Sequence, residues 1–474
     1  MLRSLGDLWN GVWSQVVSLV GYYGLLDGGL RSAVGHFVAT YHAKRDEAAV
    51  NRTLSSATAL LCVPAVAALA LTAVLAPRVV DWMSSSTATF AVAGGERASV
   101  AMWIMGAGFA LGFPMVVFST TLYALQRIDL QNAVGIGQLV LRVVLTWVVL
   151  ANGQGIVGLA WVTAGATAVG WIASIVLARR VFPALALSTR SIQAASSREL
   201  FRYGGYNLLV NVGDAILFYT DHLVIGICLR DPAANTYYGN GADLIPYFLA
   251  VVNAVTWPLT PHFTSCWATG NHAELKRLLL DGTRRTLLLA SLLGGGLVLL
   301  GRDFISLWLG AQYVSGARYA SSATILSILA LASLLIASQS CSRQALFAMR
   351  EVKFLGVTAL FEAAINVAVS VVLVRTHGIV GVAIGTLASV ALTQGIVQTW
   401  YVVRTLGLRW SEWFGALARG TLPVVAALAA TWLLARGVDA STWARFLGKV
   451  ALFSAPAIAA GLLLGLRRGE LRFR

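Results

Sequence analysis

The chain contains its own image. Displaced by 223 residues, Arg127 through Ala160 lies on Arg350 through Ala383 without a gap, and eleven of those 34 positions are identical. The identities include Gly155, Ile156, Val157 and Gly158 over Gly378, Ile379, Val380 and Gly381. At a displacement of 226, His36 and Phe37 lie on His262 and Phe263, and Trp82 lies on Trp308. Two strongly apolar halves related in this way are the mark of a duplicated membrane transporter.

Composition agrees. Of the 474 residues, 58% are hydrophobic and 12% charged, more apolar surface than one soluble core can hide, so the solvent is the bilayer. A net charge of +15 suggests nucleic acid in a soluble protein, but in a membrane protein surplus Lys and Arg belong in cytoplasmic loops, and no nucleic-acid partner is expected. Cys62, Cys228, Cys266 and Cys341 lie far apart and read as small packing residues. No His, Cys or carboxylate cluster has ligand spacing, so no metal site is expected.

Thirteen membrane spans follow: 8–26, 55–75, 98–125, 133–151, 158–177, 206–229, 238–259, 286–300, 320–347, 354–374, 378–403, 417–435 and 450–466. The shortest, 286–300, should extend back through the amphipathic residues before it. Pro114 and Pro246 fall within spans and predict kinks. With the loops after odd-numbered spans inside, 24 of the 35 Lys and Arg are cytoplasmic and ten are outside, which fixes the orientation. The clearest inside loop is 178–205, with Arg179, Arg180, Arg190, Arg198 and Arg202 against Glu199. This orientation starts Met1 outside. Subtracting 226 from helix 206–229 places its first-half counterpart before the chain begins, so the first half lacks its opening helix. Either the reading frame starts upstream or the chain is a natural truncation, the first being favoured.

The expected organisation is an N-terminal lobe over 1–177, a basic cytoplasmic linker over 178–205, a C-terminal lobe over 206–405, and two additional helices with a basic tail over 406–474. The fold class is an all-α polytopic membrane protein of two pseudo-symmetric helix bundles.

Short motifs in order now carry a resemblance. Leu26-Asp27-Gly28-Gly29-Leu30 closes the first span and is followed by an amphipathic stretch to Arg52. In the second half come Thr220-Asp221-His222, Ile225-Gly226, Tyr238, Pro258 with Pro261, Arg284-Arg285-Thr286, and Leu307-Trp308-Leu309-Gly310. Over about residues 8–405 the chain resembles the MOP exporter superfamily, which groups MATE-type drug exporters, lipid II flippases and flippases of O-antigen or capsule units. The resemblance implies two six-helix lobes forming a V-shaped cleft that opens alternately to each side, with spans 417–435 and 450–466 as extra helices. The departure is the first helix, which lines the cleft in the family.

Ionisable residues at mid-membrane depth are the functional candidates. Arg142 stands nine residues into span 133–151, roughly 13 Å deep at 1.5 Å per residue, on one face with Gln138 and Thr146. A guanidinium fork matches phosphate oxygens, and a diphosphate-linked lipid carries that group. The same residue equally fits an ion pair that staples helices together. Asn207, Asn211, Asp214, Phe218 and Asp221 form a stripe on span 206–229, and Thr358, Glu362, Asn366 and Ser370 form another on span 354–374. Asp214 and Glu362 fall near the midplane and Asp221 nearer the outer surface, positions suited to coupling by H⁺ or Na⁺ or to helix-packing hydrogen bonds. Asp27 and Arg31, four apart, make a surface pair or hold phosphate at the inner mouth. The substrate-binding candidates are therefore Arg142, Gln138, Arg31 and Asn366. The ion-coupling candidates are Asp214, Glu362 and Asp221. Asp243, Gln339 and Arg343 are further polar candidates.

The resemblance implies a non-enzymatic flippase of the cytoplasmic (inner) membrane. It would carry a polyprenyl-diphosphate-linked oligosaccharide to the outer leaflet for cell-surface polysaccharide such as O-antigen, lipopolysaccharide or exopolysaccharide. Its partners would be that lipid-linked glycan, the bilayer and other membrane proteins of polysaccharide assembly. No cofactor is implied beyond a coupling H⁺ or Na⁺. The alternative is a MATE-type drug or metabolite exporter. A membrane polymerase or glycosyltransferase fits less well, because the longest external loop, 76–97, is only about 22 residues.

Overall fold

The computed structural model describes residues 2–83, 88–316, 318–435, 437–438 and 440–465. Seventeen α-helices make up the described chain: α1 Leu2–Gly21, α2 Leu30–Ala43, α3 Glu47–Met83, α4 Ala88–Ala124, α5 Ile128–Ala151, α6 Gly155–Val181, α7 Ala194–Leu229, α8 Pro232–Ala242, α9 Ile245–Thr256, α10 Thr260–Ala268, α11 His272–Trp308, α12 Ser322–Ala348, α13 Val352–His377, α14 Ile379–Val390, α15 Thr399–Thr405, α16 Trp410–Ala435 and α17 Trp443–Ala460. A π-helical segment, Ala391–Gln398, joins α14 to α15. No strand occurs among the described residues.

Twelve stretches of helix are long and apolar enough to cross a membrane, so this is a multi-pass membrane protein. The thirteenth expected span, 8–26, is not among them. It folds as α1, which ends at Gly21 and passes into a 3-10 turn, Tyr22–Asp27. Asp7, Asn10, Ser14 and Gln15 dilute its apolar character. Pro246 also departs from expectation. It stands in the first turn of α9, just past the end of α8, where its missing N–H costs no hydrogen bond, so the bend falls between two helices of the single stretch Pro232–Ala268. Pro114 does lie inside a helix, α4, and α11 runs back to His272.

The contacts divide the chain into two compact units, Met1–Asn235 and Thr236–Arg474. Helix α7, assigned to the second half by repeat arithmetic, packs on α1, α2 and α3 of the first unit. Glycines let α1 and α7 approach closely. A Cβ at Gly21 would lie 2.7 Å from the Tyr219 ring, and one at Gly226 would overlap the Gln15 amide. The Tyr22 hydroxyl hydrogen-bonds Thr220 across the same seam.

Each unit contains the hairpin the repeat identified. In the first, α5 turns into α6 through Gly153 (φ 69°) and Gly155 (φ 63°). In the second, α13 turns into α14 at Gly378 (φ 57°). These left-handed positions suit glycine. Gly158 and Gly381 come next for a second reason: a Cβ there would strike Val149 in one hairpin and the Leu373 carbonyl in the other. In the second unit α16 and α17 pack on α11 around Leu300, Val424, Leu428, Phe446 and Phe453, and Lys449 on α17 reaches Asp303 on α11 at 2.8 Å. Gly294 and Gly295 on α11 are filled against Leu334 and Leu428.

Candidate functional site

The most developed polar cluster lies inside the second unit and centres on Glu362. This is the eleventh residue of the 26-residue α13, and only 5% of it is exposed. Its carboxylate accepts from the Thr393 hydroxyl at Oε2 and from Gln394 Nε2 at both oxygens, 3.0 and 3.1 Å away. Thr393 and Gln394 are neighbours in the π-helical segment. The wide turn there redirects side chains relative to α-helical spacing, and π segments inside helices commonly mark working sites.

One turn further along α13 stands Asn366, fully buried, donating from Nδ2 to Thr386 Oγ1 at 2.9 Å. On α12, Gln339 donates to Thr399 Oγ1 at 2.8 Å, and Thr399 donates to the Gln394 carbonyl at 3.3 Å. Two buried acceptors, Asn366 Oδ1 and Gln339 Oε1, have no hydrogen-bond partner among the described residues. Buried acceptors left this way carry a desolvation penalty unless a proton, a cation or water meets them. One carboxylate with amide and hydroxyl oxygens is a hard-oxygen environment for a small cation or a proton. Among the described residues no group of three His, Cys, Asp or Glu could hold a metal ion.

The first unit does not copy this cluster. At the 223-residue offset Glu362, Asn366 and Thr393 correspond to Leu139, Val143 and Gly170, and only Thr386 keeps its type, at Thr163. The α5–α6 hairpin has one polar link, Gln138 Nε2 to Thr167 Oγ1 at 3.2 Å. Arg142, one turn beyond Gln138, is exposed and forms no ion pair with any described residue. Its neighbours Ile136, Leu139, Val140, Val143 and Trp147 are more than half exposed, so the guanidinium sits mid-helix on an element with no buried residue.

The remaining candidates are spread. Asp221 is buried on α7, close enough to Tyr22 to act on it electrostatically. Asp214 is half-buried on the same helix, and the side chain of Asn207 lies outside the described residues. Asp214 and Glu362, expected on two helices of one lobe, fall in different compact units, because α7 packs on the first. Asp27 is buried. It accepts from the Gly29 amide at 2.9 Å and pairs with Arg31 at 2.9 Å, while Arg31 stays half-exposed. Gly28 (φ 60°) and Gly29 (φ 75°) make the tight turn that starts α2. Sequence reasoning missed Thr393 and Gln394. The available signal was polar residues 393, 394, 398 and 399 inside an apolar span, at a spacing foreign to an α-helical stripe.

This all-helical architecture of paired hairpins is similar to that of solved MurJ and MATE structures. Residues 233–453 match the family model described as lipid II flippase MurJ. An inward-closed structure of lipid II flippase MurJ superposes with TM-score 0.64 at 13% identity, covering 96% of this chain and 95% of that one. An inward-facing multidrug resistance MATE transporter of the MOP superfamily gives TM-score 0.65 at 16% identity, over 85% of this chain and 94% of its own. A MOP-superfamily transporter from Pyrococcus furiosus gives 0.58 at 15% identity, over 85% and 91%. No curated sequence matches the chain.

Proposed function

We propose that the chain is a flippase that carries a polyprenyl-diphosphate-linked oligosaccharide across the cytoplasmic membrane by alternating access, for assembly of surface polysaccharide. The observation that carries this reading is coverage. The MurJ likeness extends over 96% of the chain whereas the MATE likeness stops at 85%, and the family model reaches into α17. Arg142, exposed at mid-helix and free of a carboxylate, supplies a forked donor set for the diphosphate. Glu362, with Asn366, Thr393 and Gln394, takes up H⁺ or Na⁺ as the coupling ion. In this assignment Asn366 serves the ion rather than the substrate, since it is fully buried one turn from Glu362.

The MATE-type exporter is the second reading, favoured by the TM-score of 0.65. Purified protein in liposomes separates the two. A fluorescent undecaprenyl-diphosphate oligosaccharide should reach the far leaflet faster than in empty liposomes, with no accumulation of cationic dyes. Dye transport without lipid flipping would establish the exporter instead.

A further inference from the structure

The segment between α6 and α7 has the charge and position of a loose tether, yet it is fastened along its length to α3. Asn51 makes a two-way clasp, donating from Nδ2 to the Ala184 carbonyl at 2.7 Å and accepting from the Ala186 amide at 3.1 Å. One turn on, Ser55 Oγ accepts from the Ser188 amide at 3.1 Å, and Ser56 Oγ accepts from the Gln193 amide at 3.1 Å. Phe182 and Leu185 are buried in the core of the first unit, and His42 meets the Phe182 ring edge-on at 6.1 Å.

Two of the three fastening residues are buried, Ser55 at 4% exposure and Ser56 fully, and Asn51 is half-buried. Lifting the segment would strand the Asn51 amide and free three backbone amides of the segment, losing four hydrogen bonds together. A free linker behaves oppositely, leaving its backbone to water. Removing partners from a buried polar group costs more than the bond contributes when made. The fastening should therefore persist while other parts of the chain move.

We infer that residues 182–193 are a strap seated on α3 throughout the transport cycle, so that this stretch moves as part of the first unit and the chain does not bend between Phe182 and Gln193. The inference rests on the carrier reading above only in assuming that a cycle of conformations exists.

Two measurements test it. In a chain whose four native cysteines are replaced by alanine, Ser55→Cys and Ser188→Cys are bridged by a short bis-methanethiosulfonate, which forms reducible disulfides with loss of methanesulfinate, and flipping of the fluorescent lipid-linked oligosaccharide is followed. A rate within about twofold of the unbridged protein supports the strap. A block that is relieved on reduction overturns it. On the native chain, hydrogen exchange is read in the resting protein and with undecaprenyl diphosphate present. The amides of Ala186, Ser188 and Gln193 should exchange slowly in both conditions, and Asn51→Ala with Ser55→Ala should speed the first two by roughly tenfold. Exchange as fast as in an open loop in either condition overturns the strap. If neither bridged nor unbridged protein flips the lipid, the flippase reading fails, and the exchange result alone decides the strap.

Discussion

Glu362→Gln is the most informative single change, because it keeps the shape of the side chain and removes its charge. The carboxylate now accepts from the Thr393 hydroxyl and both ways from Gln394. A glutamine still meets Thr393, whose hydroxyl can turn to accept, but its own NH₂ opposes that of Gln394. Losing one charge-assisted contact there costs about 1.5–3 kcal/mol. For a cation that needed the charge the loss is larger, about 2–5 kcal/mol, or roughly 30-fold to several-thousand-fold in affinity. The assay is flipping of fluorescent lipid-linked oligosaccharide in liposomes with imposed Na⁺ or pH gradients, alongside binding of the same lipid. Turnover should collapse and its response to one gradient should vanish, while binding persists. Thr393→Val serves as the graded control. It removes one hydrogen bond, keeps the carboxylate, and should weaken ion dependence by about fivefold, the equivalent of roughly 1 kcal/mol. If Glu362→Gln flips at the normal rate with unchanged Na⁺ and pH dependence, the cluster is helix packing and the coupling argument fails.

Other outcomes follow from the same geometry. Arg142→Ala should abolish flipping while leaving membrane protein levels intact, since the exposed guanidinium pairs with no described carboxylate, and Arg142→Lys should rescue it only partly. Immunoblotting of membranes beside a flipping assay checks both, and loss of the protein itself would favour a structural role. Gly381→Ala pushes a methyl into the Leu373 carbonyl and should lower the melting temperature of detergent-solubilised protein by several degrees, whereas Gly378→Ala should cost about 1 kcal/mol, for its left-handed backbone alone. Single-cysteine labelling should find 151–157 and 375–377 outside and 178–205 inside, and the opposite pattern would overturn the topology.

Much of the fold is written in local patterns, which is why it can be read from the chain. Long apolar runs need a bilayer. Gly155 and Gly378 mark equivalent turns because both backbones are left-handed, and Gly158 and Gly381 repeat because both pack against the preceding helix. The place of α7 is less legible. Repeat arithmetic records the ancestry of a helix, but packing follows the faces available, and glycines at 21 and 226 open a seam between α1 and α7. In α1 the polar residues Asn10 and Gln15 interrupt an apolar run, which keeps it below the hydropathy of the other twelve stretches. In the candidate site, Glu362 was visible because a buried carboxylate is rare in an apolar helix. Its partners were not, because Thr393 and Gln394 converge only where the helix widens to π geometry, which no α-helical stripe predicts. Arg142 stood out by charge, and its exposure on a helix without buried residues had no sequence signature.

The central claim is that this chain moves a diphosphate-linked glycolipid between leaflets, and the direct measurement is leaflet exchange of that lipid in liposomes holding only this protein. A fluorescent undecaprenyl-diphosphate oligosaccharide, quenched from outside by a membrane-impermeant reductant, should lose nearly all its signal with wild-type protein. With Arg142→Ala it should lose only the half already in the outer leaflet. Equal protection of the inner-leaflet lipid in wild-type and protein-free liposomes, with both gradients supplied and the protein shown to be folded, would contradict the account.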